Sequence, residues 1–194
     1  MDVGGGTTDF SLIAVGETAG LLSLERVAIG DHILLGGDNM DLALAYGLRR
    51  KLEAEGRHLE SWQVLALTYA CREAKEALLS DATLSEVAIV VPSRGASLMG
   101  GLLRTRLTQE EVTGTLVEGF FPSLDLRQVE LVHHARTGLT TVGLPYAQDP
   151  RITAHLAVFL RRQLEALKGA QELSESGSGG YFIQPTAVLL NGGV

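Results

Sequence analysis

The segment from Asp2 to Asp9, with the sequence DVGGGTTD, restricts the fold of this chain more than any other feature. Consecutive glycines between short runs of strand-forming residues favour a hairpin with Gly5 and Gly6 at its turn. Because side chains alternate between the two faces of a strand, Asp2, Thr7 and Asp9 are expected on one face. The cross-strand pairs that such a hairpin predicts are Gly4 with Thr7, Val3 with Thr8, and Asp2 with Asp9.

This hairpin suits a phosphate group bound together with a divalent cation. Glycine residues let backbone N–H groups approach an anion without a Cβ atom in the way. Two carboxylates beside them can hold hydrated Mg²⁺ or orient a water molecule for in-line attack on a phosphoryl group. The structural alternative is a glycine-rich hairpin whose aspartates only face solvent.

The spacing of apolar residues predicts a chain of mixed helices and strands. One helix has Met40, Leu44, Leu48 and Leu52 on one face. A second helix has one stripe that consists of Val64, Thr68, Cys71, Lys75 and Leu78. Because Lys75 belongs to this stripe, it is expected at the inward edge of the helix. The predicted elements are strands within 1–15 and 21–29, helices over about 38–55 and 59–79, strands over 84–91 and 98–107, a helix from the capping box of Thr108 and Glu111 to about Phe120, a helix opened by Asp149 and Pro150, and a short strand over 186–190.

Four segments, in this order along the chain, resemble the nucleotide-binding domain of DnaK-type heat-shock chaperones. The segment from Asp2 to Asp9 resembles the second phosphate-binding loop of that family. The other three segments are Gly30-Asp31 followed by Leu35-Gly36-Gly37-Asp38 and Asp41, the helix segment Ala70 to Lys75, and Leu189 to Gly193. The resemblance covers residues 1 to about 120 and 185–194.

The resemblance implies an α/β fold of the actin-like ATPase superfamily, with a ribonuclease-H-like lobe and a smaller α+β subdomain. The ribonuclease-H-like part would comprise residues 1–56 and 181–194, and the smaller subdomain residues 57–122. Residues 123–180 would be a divergent insertion with one helix and a mobile serine- and glycine-rich loop. The chain would then be the second lobe of a longer parent, whose first lobe and client-binding region lie elsewhere.

The resemblance also implies that the matching residues bind ATP or ADP together with Mg²⁺. K⁺ is a second candidate cation. Asp2, Thr7 and Asp9 would be the catalytic residues, with Asp2 and Asp9 near the metal and the attacking water. The nucleotide-binding residues would be Gly4, Gly5, Gly6, Thr7 and Thr8 around the phosphates, and Lys75, Gly36, Gly37, Gly192 and Gly193 along the sugar and base.

Three functions stay open, and two departures from the family keep the third of them, a non-catalytic scaffold, among the candidates. Arg72 stands where the family usually has an acidic residue, and Glu76 where a basic residue often stacks on adenine. The chain could belong to a chaperone ATPase that works with a co-chaperone or exchange factor, to a small-molecule (sugar) kinase of the same superfamily, or to a non-catalytic nucleotide-binding scaffold. The segment Ala70 to Lys75 favours the chaperone over the kinase.

Charge and composition disfavour other partners. The net charge is -7 and the sequence has no basic patch, so nucleic acid and anionic membranes are not expected to bind. No apolar run approaches the roughly 20 residues of a membrane span. A single cysteine, Cys71, excludes an intramolecular disulfide and fits a reducing compartment. We therefore expect a cytoplasmic protein.

Overall fold

The structure is a computed structural model that describes residues 1–92, 102–132, 147–169 and 183–193. In chain order, its elements are β1 (Asp2–Val3), β2 (Thr8–Asp9), β3 (Ser11–Thr18), β4 (Leu21–Ile29), α1 (Gly37–Ala54), α2 (Ser61–Ser80), β5 (Glu86–Pro92), β6 (Leu102–Thr108), α3 (Gln109–Thr113), a π-helical turn (Gly114–Glu118) and α4 (Ile152–Gly169). The expected mixture of helices and strands is confirmed, and the sheets in the described ranges are antiparallel pairs.

The chain divides into two compact units. Unit 1 comprises Met1–Gly36 and Phe121–Gly193, and unit 2 comprises Gly37–Phe120. The first segment of unit 1 ends at Gly36, and α1 packs with α2 in unit 2. The subdomain boundaries after residues 56 and 122, which the resemblance implies, stay a prediction.

In unit 1, β1 and β2 form the N-terminal hairpin, and β3 and β4 form a longer antiparallel ribbon, here called the β3–β4 ribbon. The core of the unit includes Phe10, whose ring stacks on that of Phe159 in α4 with 5.7 Å between the ring centroids. A second apolar cluster consists of Val129, Ala154, Ala157 and Val158, with Leu124, Leu126 and Leu131 packed against it. The start of α4 was predicted two residues too early, because the helix begins at Ile152 and not at Pro150.

Unit 2 contains α1, α2, the β5–β6 pair and α3. The apolar stripe of α1 is confirmed, since Met40, Leu44, Leu48 and Leu52 are all buried. The stripe of α2 is rotated from the predicted one: Gln63 and Leu67 are buried in place of Val64 and Thr68. Lys75 is buried, as its place in the predicted stripe required.

The junction between β6 and α3 follows the predicted capping box. The Thr108 hydroxyl accepts a hydrogen bond from the Glu111 N–H at 3.1 Å, and the Glu111 carboxylate accepts one from the Thr108 N–H at 2.9 Å. These bonds satisfy N–H groups at the helix start that have no partner within the helix. The helical chain then continues through the π-helical turn rather than as a regular α-helix to Phe120.

The strand predicted over 186–190 does not form. Val188, Leu189 and Leu190 are exposed, and the segment joins a strand only through an isolated parallel bridge between Asp2 and Asn191. The predicted serine- and glycine-rich loop lies outside the described residues. Within the described ranges, no helix combines the length and apolar character needed to cross a membrane.

Candidate functional site

The N-terminal hairpin has the register expected from its sequence. Asp2 is paired with Asp9 and Val3 with Thr8, and the Gly4 N–H donates to the Thr7 carbonyl at 2.8 Å. The side chains of Val3 and Thr8 are buried, while Asp2 is exposed and Asp9 is half-buried. Because directly paired residues share a face, the two carboxylates lie on the open side of the hairpin.

Thr8 fixes the hairpin to the segment that precedes α1. Its N–H donates to the Ile33 carbonyl at 2.9 Å, and its carbonyl accepts from the Ile33 N–H at 3.1 Å. Its buried hydroxyl donates to the Leu35 carbonyl at 2.7 Å. A residue of the predicted phosphate loop is therefore held by a second predicted motif, the one that contains Leu35 and Gly36.

Gly36 packs directly against the backbone of the hairpin loop. A Cβ atom at this position would lie 2.7 Å from the Gly5 carbonyl oxygen and 2.8 Å from the Thr7 nitrogen, and it would also clash with the Gly4 carbonyl. All three obstacles are backbone atoms, which cannot rotate away. Only glycine allows this close approach of the two segments.

A third segment reaches the hairpin from the far end of the sequence. The Val3 N–H donates to the Asn191 carbonyl at 2.9 Å, and the Asn191 N–H donates to the Met1 carbonyl at 3.0 Å. Gly192 has a φ of +111°, and a Cβ atom there would lie 2.5 Å from the Val3 carbonyl carbon. Gly192 is thus required both for its backbone conformation and for its contact with β1. Gly193 is exposed, and a Cβ atom there would meet nothing within 4 Å.

Each hairpin carboxylate has one partner that sequence analysis did not identify. Asp2 Oδ2 accepts a hydrogen bond from Asn191 Nδ2 at 3.0 Å, and Asp9 Oδ1 lies 2.8 Å from His32 Nδ1. The position of His32 beside the Gly36 segment predicts that it could approach a ligand, although a loop histidine is more often solvated. These partners come from 189 and 23 residues away in sequence, so no local pattern could have found them.

The two carboxylates of the hairpin could hold a hydrated cation. Among the described residues, no three His, Cys, Asp or Glu side chains are grouped closely enough to hold a metal ion. Mg²⁺ usually retains several waters and is held by one or two carboxylates together with substrate phosphates. Asp2 and Asp9 could supply such carboxylates, and the exposed loop residues Gly5 and Gly6 could present their N–H groups to phosphate oxygens.

The remaining predicted residues, Lys75 and Gly37, lie in unit 2, and Lys75 belongs to a charged cluster. Asp41, which is 0% exposed, has its Oδ1 atom 2.9 Å from Lys75 Nζ and its Oδ2 atom 2.8 Å from Arg72 Nε. The Lys75 contact has ion-pair distance but does not have the alignment of a hydrogen bond. Arg72 also pairs with Asp38. Gly37, another predicted nucleotide-binding residue, is the buried first residue of α1.

This cluster changes the ionisation of its neighbours. The hydrogen bond to Asp41 raises the pKa of Arg72 above its usual value. Burial, together with the negative charges of Asp41 and Glu111, raises the pKa of the Cys71 thiol to about 12. Cys71 therefore stays protonated at neutral pH and is an unreactive core residue. Within unit 2 the ammonium of Lys75 neutralises Asp41, and its expected contact with nucleotide stays a prediction.

Unit 1 also contains a half-open cavity of about 520 Å³. Apolar side chains, including Phe10 and Phe159, form part of its lining. The polar residues of the lining are Asp31, His32, His155, Arg162 and Gln163. His32 therefore contacts Asp9 and also borders this cavity.

No model of a known protein family matches the chain. Its sequence likewise matches no curated protein.

Proposed function

We propose that this chain binds the phosphates of ATP or ADP, with Mg²⁺, as the second lobe of a DnaK-like chaperone ATPase of the actin-like superfamily. The observation that carries the proposal is the convergence of three motif segments in unit 1. Gly36 and Gly192 both pack against the backbone of the Asp2–Asp9 hairpin, in contacts that a Cβ atom would prevent. The proposal includes a ribonuclease-H-like fold for this lobe.

The chemistry of the proposed site follows from the hairpin. Exposed N–H groups of a glycine loop can donate to phosphate oxygens, and the paired carboxylates can bind the waters of Mg²⁺. Mg²⁺ would neutralise charge on the phosphates and align the reacting groups when bound. Asp9, held on one oxygen by His32, would orient the attacking water, and Asp2 would contribute to holding the metal. Thr7 would contact the phosphates, and Thr8, whose buried hydroxyl donates to the Leu35 carbonyl, would hold the loop in place.

The proposal predicts weak binding by this chain alone. In the family that the motifs resemble, the first lobe supplies the rest of the nucleotide contacts. Binding with a dissociation constant of about 1 mM, near -4 kcal/mol, is the expected order of magnitude. A co-chaperone or exchange factor and a client-binding region are the partners that the proposal implies.

The test is Mg²⁺-dependent binding of ATP to the chain, measured by equilibrium dialysis. Asp9→Asn keeps the size of the side chain and removes its charge, and we expect it to weaken binding at least about tenfold. The matched control is Asp125→Asn, which removes an exposed carboxylate elsewhere in unit 1 and should leave binding unchanged. Equal binding by all three chains, or binding that does not need Mg²⁺, would contradict the proposal.

The cavity favours one alternative, a small-molecule kinase of the same superfamily. Its polar lining could hold a hydroxyl-bearing substrate, and its border includes His32, the partner of Asp9. A substrate hydroxyl would then replace water as the attacking group. Transfer of the γ-phosphate to a sugar would support the kinase, whereas ATP hydrolysis stimulated by unfolded peptide would support the chaperone.

A further inference from the structure

The β3–β4 ribbon has one face that is mainly apolar. Residues directly opposite one another in an antiparallel pair share a face of the sheet. On one face the pairs are Ile13 with Arg26, Val15 with Leu24, and Glu17 with Leu22. We call this set the apolar face of the ribbon. The pairs on the opposite face are smaller or more polar: Ala14 with Glu25, Gly16 with Ser23, and Thr18 with Leu21.

The aliphatic side chains of the apolar face are unusually exposed. The exposed fraction is 49% for Ile13, 68% for Val15, 73% for Leu22 and 64% for Leu24. Adjacent exposed aliphatic side chains on one surface are typical of a site that another molecule covers. A two-stranded ribbon is also only marginally stable unless something packs on it.

The charges on the apolar face indicate what covers it. Arg26 lies at one end and Glu17 at the other, separated by four positions or ~13 Å along the strands. Both side chains are exposed, and neither forms an ion pair within the part of the chain that the structure describes. The face therefore has a positive end, an apolar centre and a negative end.

We propose that the apolar face of the ribbon is a homodimer interface that binds the same face of a second copy of this chain. A two-fold axis in the plane of the interface, crossing the strands at Val15 and Leu24, lays one ribbon antiparallel on the other. Arg26 of each copy then lies at the same end as Glu17 of the other copy, diagonally across from it on the neighbouring strand, and the aliphatic side chains pack in the centre. A parallel arrangement would instead bring the two Arg26 side chains together, so the charges select the antiparallel one.

The small size of the face predicts a weak dimer. Stable interfaces bury about 1,200–2,000 Å² in total, and the three residue pairs of the face reach at most the lower end of that range. We therefore expect a dissociation constant of micromolar order or weaker. The dimer needs no nucleotide, so this inference does not depend on the proposed function.

The test is sedimentation velocity of the full chain over a wide range of concentrations. In a homodimer, Arg26→Glu places a new carboxylate against Glu17 of the other copy, and Glu17→Arg places a new guanidinium against Arg26. We expect each variant to weaken self-association about tenfold, because two like-charge contacts replace two attractive ones. The double variant Arg26→Glu with Glu17→Arg should regain the wild-type dissociation constant. An equimolar mixture of the two single variants should form a heterodimer.

A matched control uses the opposite face of the same ribbon. Glu25→Arg makes the same change in net charge as Glu17→Arg and should leave self-association unchanged. Far-UV circular dichroism should show that all variants are folded. A wild-type chain that stays monomeric would overturn the proposal and leave another protein or another segment as the occupant. Failure of the double variant to regain association, or equal weakening by Glu25→Arg, would also overturn it.

Discussion

The two units place their candidate residues in opposite ways. In unit 1 the hairpin is held by backbone contacts, with Gly36 and Gly192 packed on it and both carboxylates accessible to solvent. In unit 2 the candidate Lys75 is buried and its charge is matched by Asp41. The first arrangement leaves its polar groups available for a ligand, whereas the second uses them for stability. A residue of a predicted motif is therefore a stronger candidate for ligand binding when packing of the backbone holds the site together and its own side chain is not needed for that.

The largest effect is expected when the buried ion pair of unit 2 is broken. Lys75→Met leaves Asp41 buried with only Arg72 to neutralise it, which should lower the free energy of unfolding by roughly 3–5 kcal/mol. Urea denaturation followed by circular dichroism would measure the loss. The control is Lys51→Met, which breaks the half-exposed pair with Glu111 in the same unit and should cost at most about 1 kcal/mol. Equal losses from the two substitutions would contradict a structural role for Lys75.

The next effect tests the backbone packing of unit 1. Gly36→Ala forces a Cβ atom against carbonyl and amide atoms of the hairpin loop, and we expect a loss of roughly 1–3 kcal/mol or more. Gly16→Ala, in β3 of the same unit, places its methyl group where no atom lies within 4 Å. That control should be neutral or stabilising by about 0.5 kcal/mol. Unfolding of both variants at the same urea concentration would contradict the packing role of Gly36.

Asp149 extends the comparison with Asp41, because it is a buried carboxylate in unit 1. Its main partner is Arg151, a neighbour in sequence rather than a residue of another helix. Burial alone would raise its pKa, but hydrogen bonds from the Arg151 side chain and from the Val132 and Arg151 N–H groups outweigh burial and lower the pKa to about 2. The ordinary pKa of an aspartate is 3.8, so at a pH between these two pKa values the unfolded chain binds more protons than the folded chain. The resulting stability is present above about pH 4 and is lost as the pH falls through about 2.

Asp149→Asn should therefore lower the free energy of unfolding at pH 7 by about 2 kcal/mol. The difference from the wild type should shrink as the pH falls from 4 to 2, which urea denaturation at several pH values would show. Glu130→Gln, at an exposed neighbouring position, should change stability by less than about 0.5 kcal/mol at every pH. A difference for Asp149→Asn that does not depend on pH would show that its charge is not what stabilises the fold.

Local patterns predicted the parts of the molecule that depend on local geometry. The register of the Asp2–Asp9 hairpin followed from its glycines and from alternation, and the buried face of α1 followed from helical spacing. The capping box at Thr108 needed only two residues three positions apart. In each case the residues that determine the structure are close in sequence.

The predictions that failed, and the contacts that were missed, depend on distant parts of the chain. Asp41 was seen as a motif residue, but its pairing with Lys75 joins two helices and has no periodic signal. His32 reaches Asp9 from another segment. The predicted start of α4 was too early: the helix begins at Ile152, and Asp149, predicted as its N-cap, accepts hydrogen bonds from the Val132 and Arg151 N–H groups. The apolar run at 186–190 lacks the continuous ladder of a strand, since its neighbour β1 has only two residues.

The most direct test of the proposed site is a residue-resolved titration of the ¹⁵N-labelled chain with Mg²⁺-ATP, followed by NMR. We expect the amide signals of Gly4 to Thr8 to move first and furthest, with smaller shifts at Gly36 and Gly192. Asp9→Asn should remove these shifts and leave the rest of the spectrum in place. Shifts confined to other parts of the chain, or no shifts at millimolar ATP, would contradict the account.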